Sequence, residues 1–286
     1  MPAPRTLPYE VVDVFTGDAF AGNPLAVVLD GDDLPTAAMQ LLAREFGFSE
    51  TAFPVAPPAG ADYGLRIFTP EVELPFAGHP SVGSAAVLHG LGRLPAGRRV
   101  QACGAGLLDV DVSAARVTVA GGPPALRGEV DPAPLLAAVG LRADDLAGTP
   151  VRAGCGIDFT YLLVREEAVG RIAPDTAALR ALDLGTGLSV TAWDGARAHS
   201  RVLVPEVGVA EDPATGSAAV GLGVVLAAAG LVGDGTTAYE VAQGDEVGRP
   251  SRMACTVVVE GGRAVATTVG GSSVRVMSGR VRVPGA

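Results

Sequence analysis

Residues 79–87 read His-Pro-Ser-Val-Gly-Ser-Ala-Ala-Val, and residues 212–220 read Asp-Pro-Ala-Thr-Gly-Ser-Ala-Ala-Val. Six of the nine positions are identical, at an offset of 133 in a chain of 286. An offset near half the length reads as a duplicated domain. In each copy an ionisable residue stands before Pro and an Ala/Gly-rich apolar run. Proline is favoured at the first helical position, so each copy is expected to open a helix with His79 or Asp212 at its cap. Two such helix starts can together build one site between two halves.

Outward from these helices, the first half predicts strands at Tyr9–Phe15 and Leu25–Leu29, joined through the turn signal Gly22-Asn23-Pro24. Met39, Leu42 and Phe46 predict a helix over Thr36–Phe46 that stops at Gly47. Strands follow at Ser49–Val55 and Gly64–Thr69, then the apolar helix at about Pro80–Leu91, then a meander over Val100–Cys103, Leu107–Val112 and Arg116–Val119. Gly121–Pro134 holds Gly-Gly-Pro-Pro and Asp-Pro-Ala-Pro without an apolar period, and reads as the linker. The second half predicts strands near Phe159–Val164, Leu188–Trp193 and Arg201–Val204, a helix over Pro213–Gly230, and closing strands that include Cys255–Glu260 and Val274–Met277. The fold class is α+β, in two halves, 1–124 and 125–286, the final strand able to pack back on the first. Each half is a sheet wrapped on one apolar, small-residue helix.

Composition narrows the function. A net charge of −10 without a basic patch argues against nucleic acid and anionic membranes as partners. All 21 basic residues are arginine, so Schiff-base and P-loop lysine chemistry is excluded. Cys103, Cys155 and Cys255 are odd in number and widely spaced, which fits reduced cytoplasmic thiols rather than a metal site. The N-terminus Met-Pro-Ala-Pro-Arg lacks a signal-peptide core. Ala214–Gly233 carries no charge over 20 residues, long enough for a bilayer. Its Ala/Gly/Val content and bare flanks favour a buried central helix.

Few residues can do chemistry. Histidine is a poor capping residue, so His79, beside the unshielded amide of Gly78, breaks a local rule and invites a functional reading. Asp212 is what capping alone would select, and its match to His79 across the repeat is what raises it. Thr215 and Ser217 lie in the first turn of the second helix, where hydroxyls and free amides can hold a carboxylate or phosphate. Ser84 is the repeat partner of Ser217. Glu50 lies between Phe48 and Phe53, where desolvation would raise its pKa towards general-base use, but strands routinely carry one solvent-facing Glu, and from these residues alone that plainer reading is preferred. Glu45 is an equal candidate by that logic. No metal spacing, nucleophile elbow or dinucleotide fingerprint is present, so neither metal nor cofactor is expected.

Gly22-Asn23-Pro24, Phe48-Ser49-Glu50-Thr51-Ala52-Phe53, Arg66-Ile67-Phe68-Thr69-Pro70, Phe76-Ala77-Gly78-His79-Pro80, Glu211-Asp212-Pro213-Ala214-Thr215-Gly216-Ser217-Ala218, and Gln243-Gly244 with Gly248-Arg249-Pro250-Ser251 follow in order. Over nearly the whole chain this series resembles the PhzF-like isomerases of phenazine biosynthesis, within the diaminopimelate epimerase-like fold. The resemblance implies two pseudo-symmetric domains, each a rolled sheet around a central helix, with the active site in the cleft between them. It makes Glu50 the acid/base and Glu45 a bystander. His79 and Asp212 join Glu50 as catalytic residues, and Ser49, Gly78, Thr215, Gly216 and Ser217 hold the substrate. It implies a homodimer that isomerises a dihydrohydroxyanthranilate-like carboxylate without cofactor. Ser81 departs from the family, where Thr is frequent. The cysteines lie outside both helix-start motifs, so a two-thiol racemase is not expected. An epimerase of another small acid, or a non-catalytic dimeric binding protein on the same fold, are the alternatives.

Overall fold

The computed structural model describes residues 5–205 and 209–284, so the reading of Met1–Pro4 lies outside the described residues. It divides into two compact units, Met1–Val119 with Gly270–Ala286, and Ala120–Val269.

The first unit begins with β1 (Thr6–Val14), β2 (Asn23–Val28), α1 (Thr36–Phe46), β3 (Thr51–Val55), β4 (Tyr63–Phe68) and the short β5 (Glu73–Leu74). It continues with α2 (Gly78–Gly90), β6 (Gly97–Cys103), β7 (Gly106–Val112) and β8 (Val117–Ala120). Strand β1 lies antiparallel between β2 and the chain's last strand, Ser273–Arg282. On one face of this sheet α1 buries Ala38, Met39, Leu42 and Ala43, a stripe at helical spacing. They pack with Leu7, Val28, Phe53 and Phe68. Gly47 then ends α1 in the left-handed region at φ 68°, its amide donating to Ala43 O, as C-terminal glycines do.

Helix α2 is buried on nearly every side, as a central helix must be. It touches β1 and β2 so closely that a Cβ on Gly83 would lie 2.6 Å from Leu25 Cδ2 and 2.7 Å from Val14 Cγ2.

The second unit holds β9 (Pro124–Glu129), α3 (Pro132–Ala138), β10 (Val151–Cys155), β11 (Asp158–Val164), α4 (Glu166–Val169) and α5 (Thr176–Arg180). After these come β12 (Leu188–Trp193), β13 (Arg197–Val204), β14 (Val209–Asp212), α6 (Gly216–Ala228), β15 (Gly235–Gln243), β16 (Ser251–Glu260) and β17 (Arg263–Gly271), and β18 (Ser273–Arg282) closes the chain. Strand β10 pairs antiparallel with β9 and β11, β11 parallel with β12, and β13 parallel with β15. Helix α6 packs against β9, β10, β11 and β16. It is 13 residues long, well short of a bilayer span. Among the described residues no helix is long and apolar enough to cross a membrane.

Two expectations are corrected. The Gly121–Pro134 stretch contains strand β9, whose ladder with β10 shifts register between Arg152 and Ala153, and Pro and Gly mask its pattern. It also contains the start of α3, where Asp131 Oδ1 accepts from Ala133 N at 3.0 Å and Pro132 opens the helix. The Asp-Pro helix start is thus real at Asp131-Pro132 and absent at Asp212-Pro213. Helix α6 is capped by Thr215 and α2 by Ala77, so neither Asp212 nor His79 is a cap.

The register of the duplication changes as well. Helix α2 and helix α6 correspond at an offset of 138, Gly78 to Gly216. At this offset Gly83 corresponds to Gly221, whose added Cβ would lie 2.1 Å from Tyr161 Oη, and β6 starts at Gly97 as β15 does at Gly235. The duplication is therefore expressed in helix length and close-packing glycines, and the Gly-Ser-Ala-Ala-Val identity is displaced five residues from it. His79 corresponds in place to Ser217, rather than to Asp212.

Candidate active site

In the first unit Glu50 occupies the short connection between the Gly47 turn and the first residue of β3. Parallel pairing of Ala26 with Thr51 fixes where that connection meets the sheet. Ser49 Oγ donates to Asn23 Oδ1 at 3.3 Å. Asn23 is buried in the Gly22-Asn23-Pro24 turn, where Gly22 has φ 65° and a Cβ would come within 2.3 Å of Val14 O. Only glycine fits this turn, and the turn brings Asn23 to Ser49.

His79 is the second residue of α2 and is 4 % exposed; its Nδ1 lies 3.5 Å from Glu50 Oε2. The Glu50 side chain is 15 % exposed, and its Oε2 is buried without a hydrogen bond. Burial pushes the carboxyl up from the usual range to about 7, with the neighbouring Ser49 side chain acting in the opposite direction. A carboxyl that exchanges its proton near neutrality is suited to alternate between acid and base. Glu45, by contrast, faces solvent on α1.

The start of α2 is pinned from beneath by a chain of buried hydrogen bonds. Tyr63 Oη donates to Gln101 Oε1 at 2.9 Å, Gln101 Nε2 donates to Ser81 Oγ at 2.9 Å, and Ser81 Oγ donates to Ala77 O at 2.9 Å. Ala77, the residue before the first turn of α2, makes no side-chain cap, and the amides at a helix start are suited to an acceptor. Ser84 is buried farther along α2, its Oγ without a hydrogen-bond partner.

The second unit supplies the other group of predicted residues. Asp212 ends β14 and is buried. Thr215 Oγ1 donates to Asp212 Oδ2 at 2.6 Å, so this capping residue gives its hydroxyl to a carboxylate instead of to its own helix. Gly216 and Ser217 form the first turn of α6 and are buried. Beside Asp212, Glu211 receives two hydrogen bonds from Arg201, at 2.9 and 2.6 Å. Arg201 also donates to Val169 O and Ile172 O, which ties this approach to the end of α4. Gln243 binds the Asp212–Thr215 loop through three hydrogen bonds.

The structure therefore brings Ser49, Glu50, Gly78 and His79 together in one unit, and Asp212, Thr215, Gly216 and Ser217 in the other. Local sequence rules give no role to Asn23, Gln101 or Gln243. Asn23 and Gln243 stand in the conspicuous Gly-Asn-Pro and Gln-Gly sequences, whereas Gln101 has no signal of its own.

Among the described residues no group of three or more His, Cys, Asp and Glu could hold a metal ion. Cys155 and Cys255 are buried, and burial pushes both thiols up, Cys155 to about 11. They are inert as thiolate bases near neutral pH.

A rolled sheet on a central helix, present in each unit, defines the diaminopimelate epimerase-like class of α+β protein. Residues 12–279 match the family of phenazine biosynthesis-like proteins. An uncharacterised isomerase of Mesorhizobium japonicum is 37 % identical over 97 % of this chain and 99 % of its own. The trans-2,3-dihydro-3-hydroxyanthranilate isomerase of Pseudomonas aeruginosa is 36 % identical over 95 % of this chain and 98 % of its own. The crystal structure of a PhzF-family phenazine biosynthesis protein from Enterococcus faecalis is 30 % identical, with a TM-score of 0.81 over 97 % of this chain and 99 % of that one. The chain belongs to the PhzF-like family and is an enzyme of the isomerase class.

Proposed function

We propose that the protein is a cofactor-independent isomerase that moves a proton between carbons of a small unsaturated carboxylic acid of the dihydrohydroxyanthranilate type, with Glu50 as the general acid/base. The observation that carries this reading is the Glu50 carboxyl itself: buried, raised to about 7, and 3.5 Å from His79 Nδ1. The kinship to a dihydrohydroxyanthranilate isomerase supports the choice of substrate.

In the proposed reaction the ionised Glu50 takes a proton from an sp³ carbon, and the electron pair of that C–H bond moves into the conjugated system. The double bond shifts, and the proton returns from Glu50 to the far carbon, so the enzyme ends as it began. His79 orients the substrate beside Glu50 and relays protons. Asp212, at the end of β14, does the same. The amides of Gly78, Gly216 and Ser217 bind the carboxylate and spread the charge that develops during transfer, with Ser49 and Thr215 at the rim. The same reading makes the enzyme a cytoplasmic homodimer, to be tested by light scattering and cell fractionation.

Turnover of trans-2,3-dihydro-3-hydroxyanthranilate and a panel of small unsaturated acids, followed by NMR, tests the reading. The expected result is isomerisation by the wild type and by Glu45→Gln but not by Glu50→Gln. A Glu50→Gln protein that keeps wild-type turnover would remove Glu50 from the mechanism.

A further inference from the structure

We propose that Gln243 is a positioning residue for Asp212, acting through the hydroxyl of Thr215. The inference rests on the function proposed above for Asp212, and it adds a component that touches no substrate.

The argument is one of hydrogen-bond polarity. Gln243 ends β15 and is 1 % exposed. Its carboxamide is engaged at both ends: Oε1 accepts from Thr215 N at 3.2 Å, and Nε2 donates to Asp212 O at 2.7 Å. A backbone N–H can only donate and a carbonyl can only accept, so these two bonds fix the amide in one orientation. The second proton of Nε2 then points to Thr215 Oγ1, 3.1 Å away. At that contact the hydroxyl oxygen must accept, because an amide NH₂ has no acceptor to offer. A hydroxyl has one proton, and the remaining partner is Asp212 Oδ2 at 2.6 Å. The direction of the chain is thus determined: Gln243 Nε2–H to Thr215 Oγ1, and Thr215 O–H to Asp212 Oδ2.

Two consequences follow. A donor fixed on Oδ2 sets the plane of the carboxylate. Bonds in such a buried chain also polarise one another, so the donation to Asp212 is stronger than that of an isolated hydroxyl. The neighbouring residue shows that the approach is built in. Gly244 has φ 84°, and a Cβ there would lie 2.5 Å from Pro213 O and 2.4 Å from Arg249 O. Glycine at 244 lets the strand end close on the Asp212–Thr215 loop, which brings the Gln243 amide within bonding distance. The buried Gln101 is not its counterpart, for at the 138 offset Gln101 corresponds to Tyr239, a residue that packs under α6.

Two readouts separate positioning from simple loop support. The first does not require a substrate. In the wild type the Thr215 hydroxyl proton gives a slowly exchanging, low-field ¹H NMR resonance with a cross-peak to the Gln243 side-chain amide. Thr215→Val abolishes it, and Gln243→Glu shifts or abolishes it. The second uses turnover. Thr215→Val keeps the contacts of Gln243 with backbone, and it is expected to lower kcat about 10–100-fold with little change in KM, the size of effect that small misplacement of a reacting group produces. Thr215→Ser restores the hydroxyl and recovers most of that loss. Gln243→Leu combined with Thr215→Val is no slower than the worse single variant, because both break one chain. Should Gln243→Leu fail to fold, Thr215→Val and Thr215→Ser carry the test. A folded Thr215→Val enzyme with wild-type kcat, or a hydroxyl resonance unchanged in Gln243→Glu, overturns the proposal. Failure of the wild type to turn over the acid panel, with the hydroxyl resonance and its cross-peak present, would refute the proposed reaction and leave the directed chain standing.

Discussion

Replacing Glu50 with Gln should stabilise the protein in proportion to pH while it abolishes turnover. The cause is burial, which raises the folded-state pKa of Glu50 from its ordinary 4.5 to about 7. Between those two values the native state holds a proton that the unfolded chain has released. Stability therefore falls as pH rises through this window, since it falls wherever the native state binds more protons. One pKa unit corresponds to about 1.4 kcal/mol. Ionised Glu50 thus costs about 3 kcal/mol at pH 8 and about 1 kcal/mol or less at pH 5. Gln has a similar shape and cannot ionise, so it removes the pH-dependent part. Urea unfolding of wild type and Glu50→Gln at pH 5 and pH 8, followed on the transition of the unit that holds Glu50, measures the difference. The stability gap should widen in favour of the variant by about 2–3 kcal/mol at the higher pH, roughly 1 M in urea midpoint at the usual slopes. A gap that stays constant from pH 5 to pH 8 would refute the claim that burial holds this carboxyl near neutrality.

The same raised carboxyl predicts a kcat/KM that climbs with pH through about 7, as Glu50 loses its proton and becomes able to accept one; the pH–rate profile of the wild type checks it. Gly221→Ala puts a methyl 2.1 Å from Tyr161 Oη, which donates to Ala218 O at 2.8 Å. Overpacking and the lost buried hydrogen bond outweigh the helix preference for Ala of about 1 kcal/mol, for a net loss of about 2–4 kcal/mol in denaturant melts. Much of this loss should return when Tyr161→Phe is combined with Gly221→Ala. Arg201→Leu leaves Glu211 buried without its two hydrogen bonds, and should cost about 3–5 kcal/mol of stability; thermal unfolding of the variant beside Glu211→Gln/Arg201→Leu, which removes the charge as well, tests this.

Much of the architecture is legible in the chain because its signals are local. The Met39–Leu42–Phe46 spacing with Gly47 marks α1 to the residue, and the Leu188–Trp193 run marks β12 to the residue. The all-round apolar character of α6 marks it as central. Elements made by tertiary pairing are harder to read. Strand β9 lies among prolines and glycines and becomes a strand only because β10 offers it a partner. Local rules misplace the helix starts for a related reason. Asp-Pro is a good cap by local rules, yet at Asp212 the carboxylate receives the Thr215 hydroxyl, and Thr215 becomes the helix boundary. Among the site residues, Glu50 reads from its neighbours in sequence as an ordinary solvent-facing strand residue. What distinguishes it from Glu45 is burial beside His79, 29 positions away, and only the fold creates that proximity. Gln243 stands in a motif that shows no role for it, because its hydrogen-bond partners lie some 30 positions earlier in the chain.

Solvent deuterium incorporation tests the central claim most directly. The wild type and Glu50→Gln are incubated in D₂O with trans-2,3-dihydro-3-hydroxyanthranilate and the panel of small unsaturated acids, and carbon-bound deuterium is followed by NMR. The account predicts deuterium at carbon in the substrate or product with the wild type alone. Incorporation by Glu50→Gln at the wild-type rate, or isomerisation that proceeds without any transfer of a proton at carbon, would contradict it.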